Sequence, residues 1–277
     1  MEHIWKVTVW GVRGSFPMAD ARFLRYGGNT SCISAEHGGC TVVFDAGSGL
    51  VSLGNDLLKR GRKSVALLLG HLHIDHVMGL FRFPLLYDKE AEIHIYGTGG
   101  SPGGLKESLE MLAGPPWWPV RLSECPAQIH IHEVSGKDFT LPQGEEAGQI
   151  RVSCMSGKHP GGSLIYRVEA EDVGVVYVPD CEMDPVVERR LERFAGECAL
   201  MIWDANFTER DRKRHKGWGH SSWEEGAAFG RRAGISRMLM THYSPEYTDE
   251  FLENEENRAK REYERCEFAK EGMVIRI

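Results

Sequence analysis

The chain has no Cys-x-x-Cys pair, and its seven cysteines (Cys32, Cys40, Cys125, Cys154, Cys181, Cys198 and Cys266) are odd in number and irregularly spaced. That pattern fits a reducing compartment and excludes the disulfide frame of a small secreted domain. Long apolar runs are also missing. The most apolar stretch, residues 65–69, is far short of the roughly 20 residues a membrane helix needs. The opening residues, Met1-Glu2-His3-Ile4-Trp5-Lys6, show no basic region followed by an apolar run, unlike a signal peptide. A soluble, cytoplasmic protein without membrane contact is expected. An excess of positive charge is lacking too: Lys plus Arg number 33 against 40 Asp plus Glu, a formal net charge of −7. Affinity for nucleic acid comes mostly from neutralising phosphates, so a general nucleic-acid binder is disfavoured. A small phosphate ester held through a metal is not. No internal repeat or low-complexity linker divides the 277 residues, which suffice to bury a core without staples. One domain over 1–277 is expected. Histidine is present in number, with twelve copies.

Alternation and short apolar runs predict strands at 7–10, 32–35, 41–45, 65–69, 92–96, 129–133, 150–155, 164–169, 173–178, 200–204 and 237–240. The second and third pair as a hairpin across His37-Gly38-Gly39. Helices are predicted at 50–60 (closed by Gly61), 105–112, 185–194, 223–233 and, as one long charged helix, 248–269. Hairpins followed by strand–helix alternation describe a layered α/β body.

Directly after the apolar strand at 65–69 comes His71-Leu72-His73-Ile74-Asp75-His76. It holds four candidate metal ligands at a strand end. In an extended segment His71 and His73 point the same way, so they can grip one ion while Asp75 and His76 reach a second. Imidazole and carboxylate suit zinc, and also manganese or iron. His159, Asp180 and His242 each follow a strand-like segment. Functional residues of layered α/β proteins gather beyond strand ends, and these three would complete a two-ion set.

The hexapeptide followed by His159, Asp180 and His242 resembles the metallo-β-lactamase superfamily signature. Asp45 in Phe44-Asp45-Ala46-Gly47-Ser48-Gly49 is similar to that superfamily's early Asp motif, which supports the site from behind. The resemblance spans nearly the whole chain and implies an αββα sandwich with the site at the edge between its sheets. Trp10-Gly11-Val12-Arg13-Gly14-Ser15, Tyr26-Gly27-Gly28-Asn29-Thr30-Ser31-Cys32 and Gly217-Trp218-Gly219-His220-Ser221-Ser222-Trp223-Glu224-Glu225 resemble a phosphodiesterase branch. That branch is related to tRNase Z and to the phosphoribosyl cyclic-phosphate phosphodiesterase of phosphonate metabolism. By this resemblance His71, His73 and His159 hold one ion, Asp75, His76 and His242 the other, and Asp180 bridges them. Asp75, besides ligating, is counted with His220 and Asp204 as catalytic. His220 would serve as general acid or phosphate-oxygen donor, oriented by Asp204. Two divalent ions in such a site acidify water and stabilise negative charge on phosphoryl oxygens. The resemblance also implies that Arg13 and Asn29 line the mouth. Asp204 stands where tRNase Z carries Glu, and Leu72 and Ile74 replace the more usual residues between the ligands.

Other features carry two readings each. Arg210, Arg212, Lys213, Arg214 and Lys216 could steer phosphate, but interleaved Glu209 and Asp211 favour a solvated face. Trp117 and Trp118 could stack a base, or pack in the core or against a second copy in a homodimer. Cys181 should point away if Asp180 points in. His37, His94, His130, His132 and His215 read as structural or surface residues. The leading expectation is a dinuclear metal-dependent phosphodiesterase acting on a small or cyclic nucleotide or sugar phosphodiester. A tRNase Z-like endoribonuclease would want a large basic face. A lactonase or β-lactamase-type hydrolase fits the His220 motif poorly. A non-catalytic metal-binding module would close its coordination sphere instead of gathering two ions in a pocket.

Overall fold

In the first half of the chain, apolar residues with a period of two form strands β1 (Lys6–Gly11), β2 (Cys32–His37) and β3 (Cys40–Phe44), paired antiparallel in that order. The turn between β2 and β3 places Gly38 and Gly39 at φ of 51° and 86°, which an L side chain resists. Helix α1 (Leu50–Lys59) then crosses to β4 (Ser64–Leu68), parallel to β3. The short helix α2 (Ile74–Val77) precedes β5 (Glu92–Gly97), and helix α3 (Gly104–Leu112) precedes β6 (Gln128–Glu133). Both strands continue the parallel run. This is a computed structural model, which describes residues 4–100, 102–142 and 149–277.

The second half repeats the plan. Strands β7 (Phe139–Thr140), β8 (Arg151–Gly157), β9 (Ser163–Ala170) and β10 (Val173–Val178) pair antiparallel. Helix α4 (Pro185–Ala195) leads to the parallel strand β11 (Leu200–Asp204). Helices α5 (Glu209–Arg214) and α6 (Trp223–Ala233) lead to β12 (Met238–Thr241), and α7 (Asp249–Glu262) to β13 (Cys266–Phe268). The final strand β14 (Val274–Arg276) returns to pair with β1. Among the described residues the sheets run β14-β1-β2-β3-β4-β5-β6 and β13-β12-β11-β10-β9-β8-β7.

Strand β4 shows why the layers stack. Ala66 and Leu68 join Val176, Tyr177 and Ile165 in the core between the sheets, whereas Val65 and Leu67 join Leu53 and Leu57 of α1 in a second core. A strand covered on both faces needs a continuous apolar run, and β4 has one. Helix starts are chemically marked. Asp184 accepts from the Val186 and Val187 amides ahead of Pro185, and Ser222 forms a capping box with Glu225.

The long helix expected at 248–269 is shorter. It ends at Glu262, Tyr263 is extended (φ −152°, ψ 104°), and Cys266 and Phe268 lie beside Met238 and Met240 as β13. Charge patterning cannot distinguish a helix tail from an edge strand whose alternate residues find a buried neighbour. β14, like β13, is specified by a partner distant in sequence. No helix among the described residues is long and apolar enough to cross a membrane.

Arg13 and Asn29 do not line the mouth of a site. Arg13 is fully buried: Nε donates to the Gly27 carbonyl (2.7 Å), Nη1 to the Tyr247 carbonyl (2.7 Å), and its guanidinium lies 4.8 Å from the Phe23 ring centroid. Asp249 at the start of α7 pairs with it at 3.6 Å. Asn29 donates through its backbone N and Nδ2 to Glu271 (2.6 and 2.9 Å). These residues strap the N-terminal segment to the C-terminal one. Truncating one partner of a buried pair leaves the others desolvated, so Arg13→Ala is expected to lose roughly 3–5 kcal/mol in urea denaturation. Wild-type stability with a raised KM would place Arg13 at the substrate instead.

Candidate metal centre

Strands β3, β4, β8, β10, β11 and β12 all end at one rim. Asp45, His71, His159, Asp180 and His242 lie just beyond β3, β4, β8, β10 and β12, and Asp204 is the last residue of β11. Parallel pairing within each sheet, and the antiparallel β8-β9-β10 meander, bring these ends together. The hexapeptide bends as expected. His73 is extended (ψ 150°) and serves as N-cap of α2, which carries Asp75 and His76.

The donor atoms of His71, His73, His159 and Asp180 lie within 4.8 Å of one another, as do those of Asp75, His76 and His242. Asp180 joins the two sets. Its Oδ1 is 3.1 Å from His242 Nε2 and 3.3 Å from His76 Nε2, and its Oδ2 is 3.5 Å from His71 Nε2 and 3.8 Å from His159 Nε2. His73 Nδ1 and His159 Nε2 approach to 3.1 Å, as do His76 Nε2 and His242 Nε2. Zinc bonded to two nitrogens at about 2.0–2.1 Å in tetrahedral geometry sets them about 3.3 Å apart, so this spacing fits divalent metal. Both ring nitrogens of His71, and Asp180 Oδ1, are buried without a hydrogen bond. Such orphans are costly unless a cation or water satisfies them.

A second layer holds the rings. Asp45 accepts from His76 Nδ1 (2.6 Å), the Gly70 amide (2.6 Å) and the Tyr177 hydroxyl. His159 Nδ1 donates to the Gly219 carbonyl (2.9 Å), and the Ser15 amide donates to Asp75 Oδ2 (2.7 Å). Fixing one imidazole nitrogen aims the other at the ion. Asp45 and His242 sit at φ of 59° and 62°, a strained region for non-glycine residues that recurs at functional sites. Gly14 makes room for His242: a Cβ there would lie 2.5 Å from its Cε1.

His220 lies beside this centre. Its Nδ1 is 3.2 Å from Asp204 Oδ2 and 3.7 Å from Asp180 Oδ2, and among the described residues no hydrogen bond engages its Nε2. Asp204 also approaches His242 Nδ1 (3.4 Å), so one buried carboxylate orients both rings. Asp180, Asp204, His220 and His242 form a third set of converging donors. The expected site residues are thus brought together. Sequence reasoning did not find Tyr177, Asn206 or Glu182. Asn206 Nδ2 donates to the His242 carbonyl (3.0 Å), and Glu182 accepts from the Gly217 amide (2.6 Å) in the loop that carries His220. Only the Asn206 position, two residues past Asp204, gave any signal.

Cys181 points away, as alternation implied. Its Sγ lies 3.3 Å from the Lys158 amide, and burial pushes its thiol up to about 12. The cleft at the centre, of ≈180 Å³, is lined by His71, Leu72 and His73 with the 98–100 and 160–162 loops. Trp117 and Trp118 are not among its lining residues; Trp118 stacks on Phe81 at 5.6 Å and Trp117 is 77% exposed. Most of the basic segment lies on α5, where Lys213 pairs with Glu209, Arg214 with Asp211 and the half-buried Arg212 with Glu225; Lys216 follows the helix.

Burial, joined by His76, His159 and His73, holds His71 well below the usual imidazole range, although Asp180 opposes it. Burial likewise lowers His159. Burial also disfavours charge on His76, His242 and His220, but facing carboxylates outweigh it. Asp180, Asp45 and Asp75 raise His76; Asp180, Asp204 and Asp75 raise His242 to about 10; and Asp204 and Asp180 raise His220. Metal-free, the centre therefore balances its carboxylates with protons on imidazoles.

Residues 41–243 match the family model described as the Beta-lactamase superfamily domain, and the chain belongs to that superfamily. With this donor set it is a metal-dependent hydrolase. Among curated proteins it is 25% identical to Ribonuclease Z of Haloarcula marismortui over 87% of each chain. Among solved structures it resembles the metallo-beta-lactamase fold protein YhfI from Bacillus subtilis (TM-score 0.73, 22% identity, 100% of both chains). It also resembles a diphosphatase from the PhnP family (TM-score 0.65, 15% identity, 99% of this chain and 98% of that one). These structural likenesses establish the αββα sandwich.

Metal ligation needs neutral imidazoles, so an ion held by His76 and His242 would expel their protons. Zinc titrated into metal-free protein at pH 7 is expected to release protons, and release should fall as pH rises through about 10. Calorimetry in buffers of different ionisation enthalpy measures this; zero net release at pH 7 would contradict the proton-balanced centre.

Proposed function

We propose that this protein hydrolyses phosphodiesters at a centre for two divalent ions, with a small or cyclic nucleotide or sugar phosphodiester as substrate. The observation that carries the reading is the Asp204–His220 contact (3.2 Å) beside the carboxylate shared by both ligand sets. His71, His73 and His159 would hold one ion and Asp75, His76 and His242 the other, with Asp180 between them. Zinc is the first candidate, with manganese or iron compatible with the same donors. Bound there, the ions supply Lewis acidity toward water and toward phosphoryl oxygens.

The chain's own groups do the rest. The Asp204 carboxylate fixes the His220 ring and favours its protonated form, leaving Nε2 to deliver a proton to the departing oxygen. The buried ligand rings exclude bulk water, while exposed His73 and the small cleft leave an entrance. The cleft's size, the net charge of −7 and the ion-paired face of α5 support a small substrate over a folded RNA. A second reading, a tRNase Z-like endoribonuclease, rests on the likeness to Ribonuclease Z over 87% of the chain.

One panel separates them: bis(p-nitrophenyl) phosphate, 2′,3′- and 3′,5′-cyclic nucleotides, a ribosyl cyclic phosphate, precursor tRNA and a lactone. Turnover of the small diesters is expected. Cleavage of precursor tRNA alone would establish the second reading, and activity on the lactone alone would reject both. His220→Ala should keep its metal content and lose turnover by roughly 10²–10⁴-fold, the usual worth of a general acid. Turnover within a few-fold of wild type would remove His220 from the mechanism.

A further inference from the structure

A second group of metal-ligating side chains lies away from this centre, on β5 and the edge strand β6. Glu92 and His94 share one face of β5 by the strand's period of two, and His94 sits directly opposite His130 of β6. Glu92 pairs in register with Ser64, at the opposite end of β4 from the loop that carries His71. The group is therefore separated from the catalytic rim by the length of a strand.

Its geometry is convergent. His94 Nε2 lies 3.2 Å and His130 Nε2 3.5 Å from the same Glu92 carboxylate oxygen, Oε1. Donors bound to one tetrahedral zinc are about 3.3 Å apart, so both imidazoles stand at ligand spacing from that oxygen, and one donor atom from each of the three residues lies within 4.8 Å of the others. His94 is also braced from behind: its Nδ1 is 3.0 Å from His132 Nε2, and the rings of His94 and His132 stack at 5.3 Å, with Tyr96 stacked on His132 at 4.4 Å. That is the outer-sphere support a ligating imidazole usually has. Glu92 and His130 have side chains 46% and 45% exposed, so an ion reaches the group from solvent and keeps a position open.

We propose that Glu92, His94 and His130 form a second divalent-metal site, for zinc or another late first-row cation, that clips edge strand β6 to β5. Two imidazoles and a carboxylate favour such ions over magnesium or calcium.

Zinc content decides it. The full chain, Glu92→Gln and His130→Ala are equilibrated in one zinc-buffered solution and measured by elemental analysis, each also in a His71→Ala background. Both altered side chains are exposed, so folding is not at stake. Each variant is expected to hold one zinc fewer than its parent in both backgrounds, with diester turnover unchanged where His71 is intact. Equal zinc content would overturn the site. So would a difference that disappears in the His71→Ala background, because the lost ion would then belong to the catalytic centre. The count is independent of turnover, so an inactive parent would refute the proposed hydrolysis and leave this result standing.

Discussion

The carboxylate of Asp180 is the point where both halves of the metal centre meet. One oxygen faces His76 and His242, the other His71 and His159. A fully desolvated carboxylate is unstable without compensating positive charge. The groups around it answer that need with protons on His76 and His242 in the metal-free protein, a balance that divalent metal would supply in its place. Asp180 follows β10, which lies between the antiparallel and parallel portions of its sheet. The loops after β8 and β11 therefore flank it, and the first sheet supplies the hexapeptide from across the core.

Holding this much buried charge in register has local costs. Asp45 and His242 accept left-handed backbone, each at about 1–3 kcal/mol, so that their side chains face the cluster. Asp45 offsets this with three donors, and His242 is gripped by Asn206 and packed against Gly14. The buried Arg13 and the Asn29–Glu271 contact then tie the N-terminal segment, which contributes the Ser15 amide to Asp75, to the start of α7 and to the turn between β13 and β14. The motifs around Arg13 and Asn29 are thus scaffolding for the centre. Their side chains are engaged by Gly27, Tyr247, Asp249, Ser48 and Glu271.

Much of the fold was legible beforehand, and the reason differs by element. β4 could be read because burial on both faces demands a continuous apolar run, and α6 from the helical spacing of its apolar residues over 223–233, whose start the structure shows closed by a Ser222–Glu225 capping box. β13 and β14 were not legible, since three-residue strands owe their existence to partners elsewhere: Met238 and Met240 for one, Lys6 to Thr8 for the other. At the site, the hexapeptide was conspicuous because its ligands are adjacent in sequence. Tyr177 was invisible: an aromatic in an apolar strand looks like core, and only the fold shows its hydroxyl reaching Asp45.

The sequence alone determined the donor chemistry. Imidazoles and carboxylates at strand ends can bind divalent cations whatever the details of packing, and a histidine next to a helix cap can be oriented by an acid. Tertiary structure decided what no spacing encodes. It set Asp180 between two ligand sets and moved Arg13 and Asn29 from the mouth into the frame. It also brought Glu92, His94 and His130, which read as ordinary strand residues, to one point across neighbouring strands. Those outcomes depend on register and on the packing of one sheet against the other, and both are fixed by contacts between segments far apart in the chain.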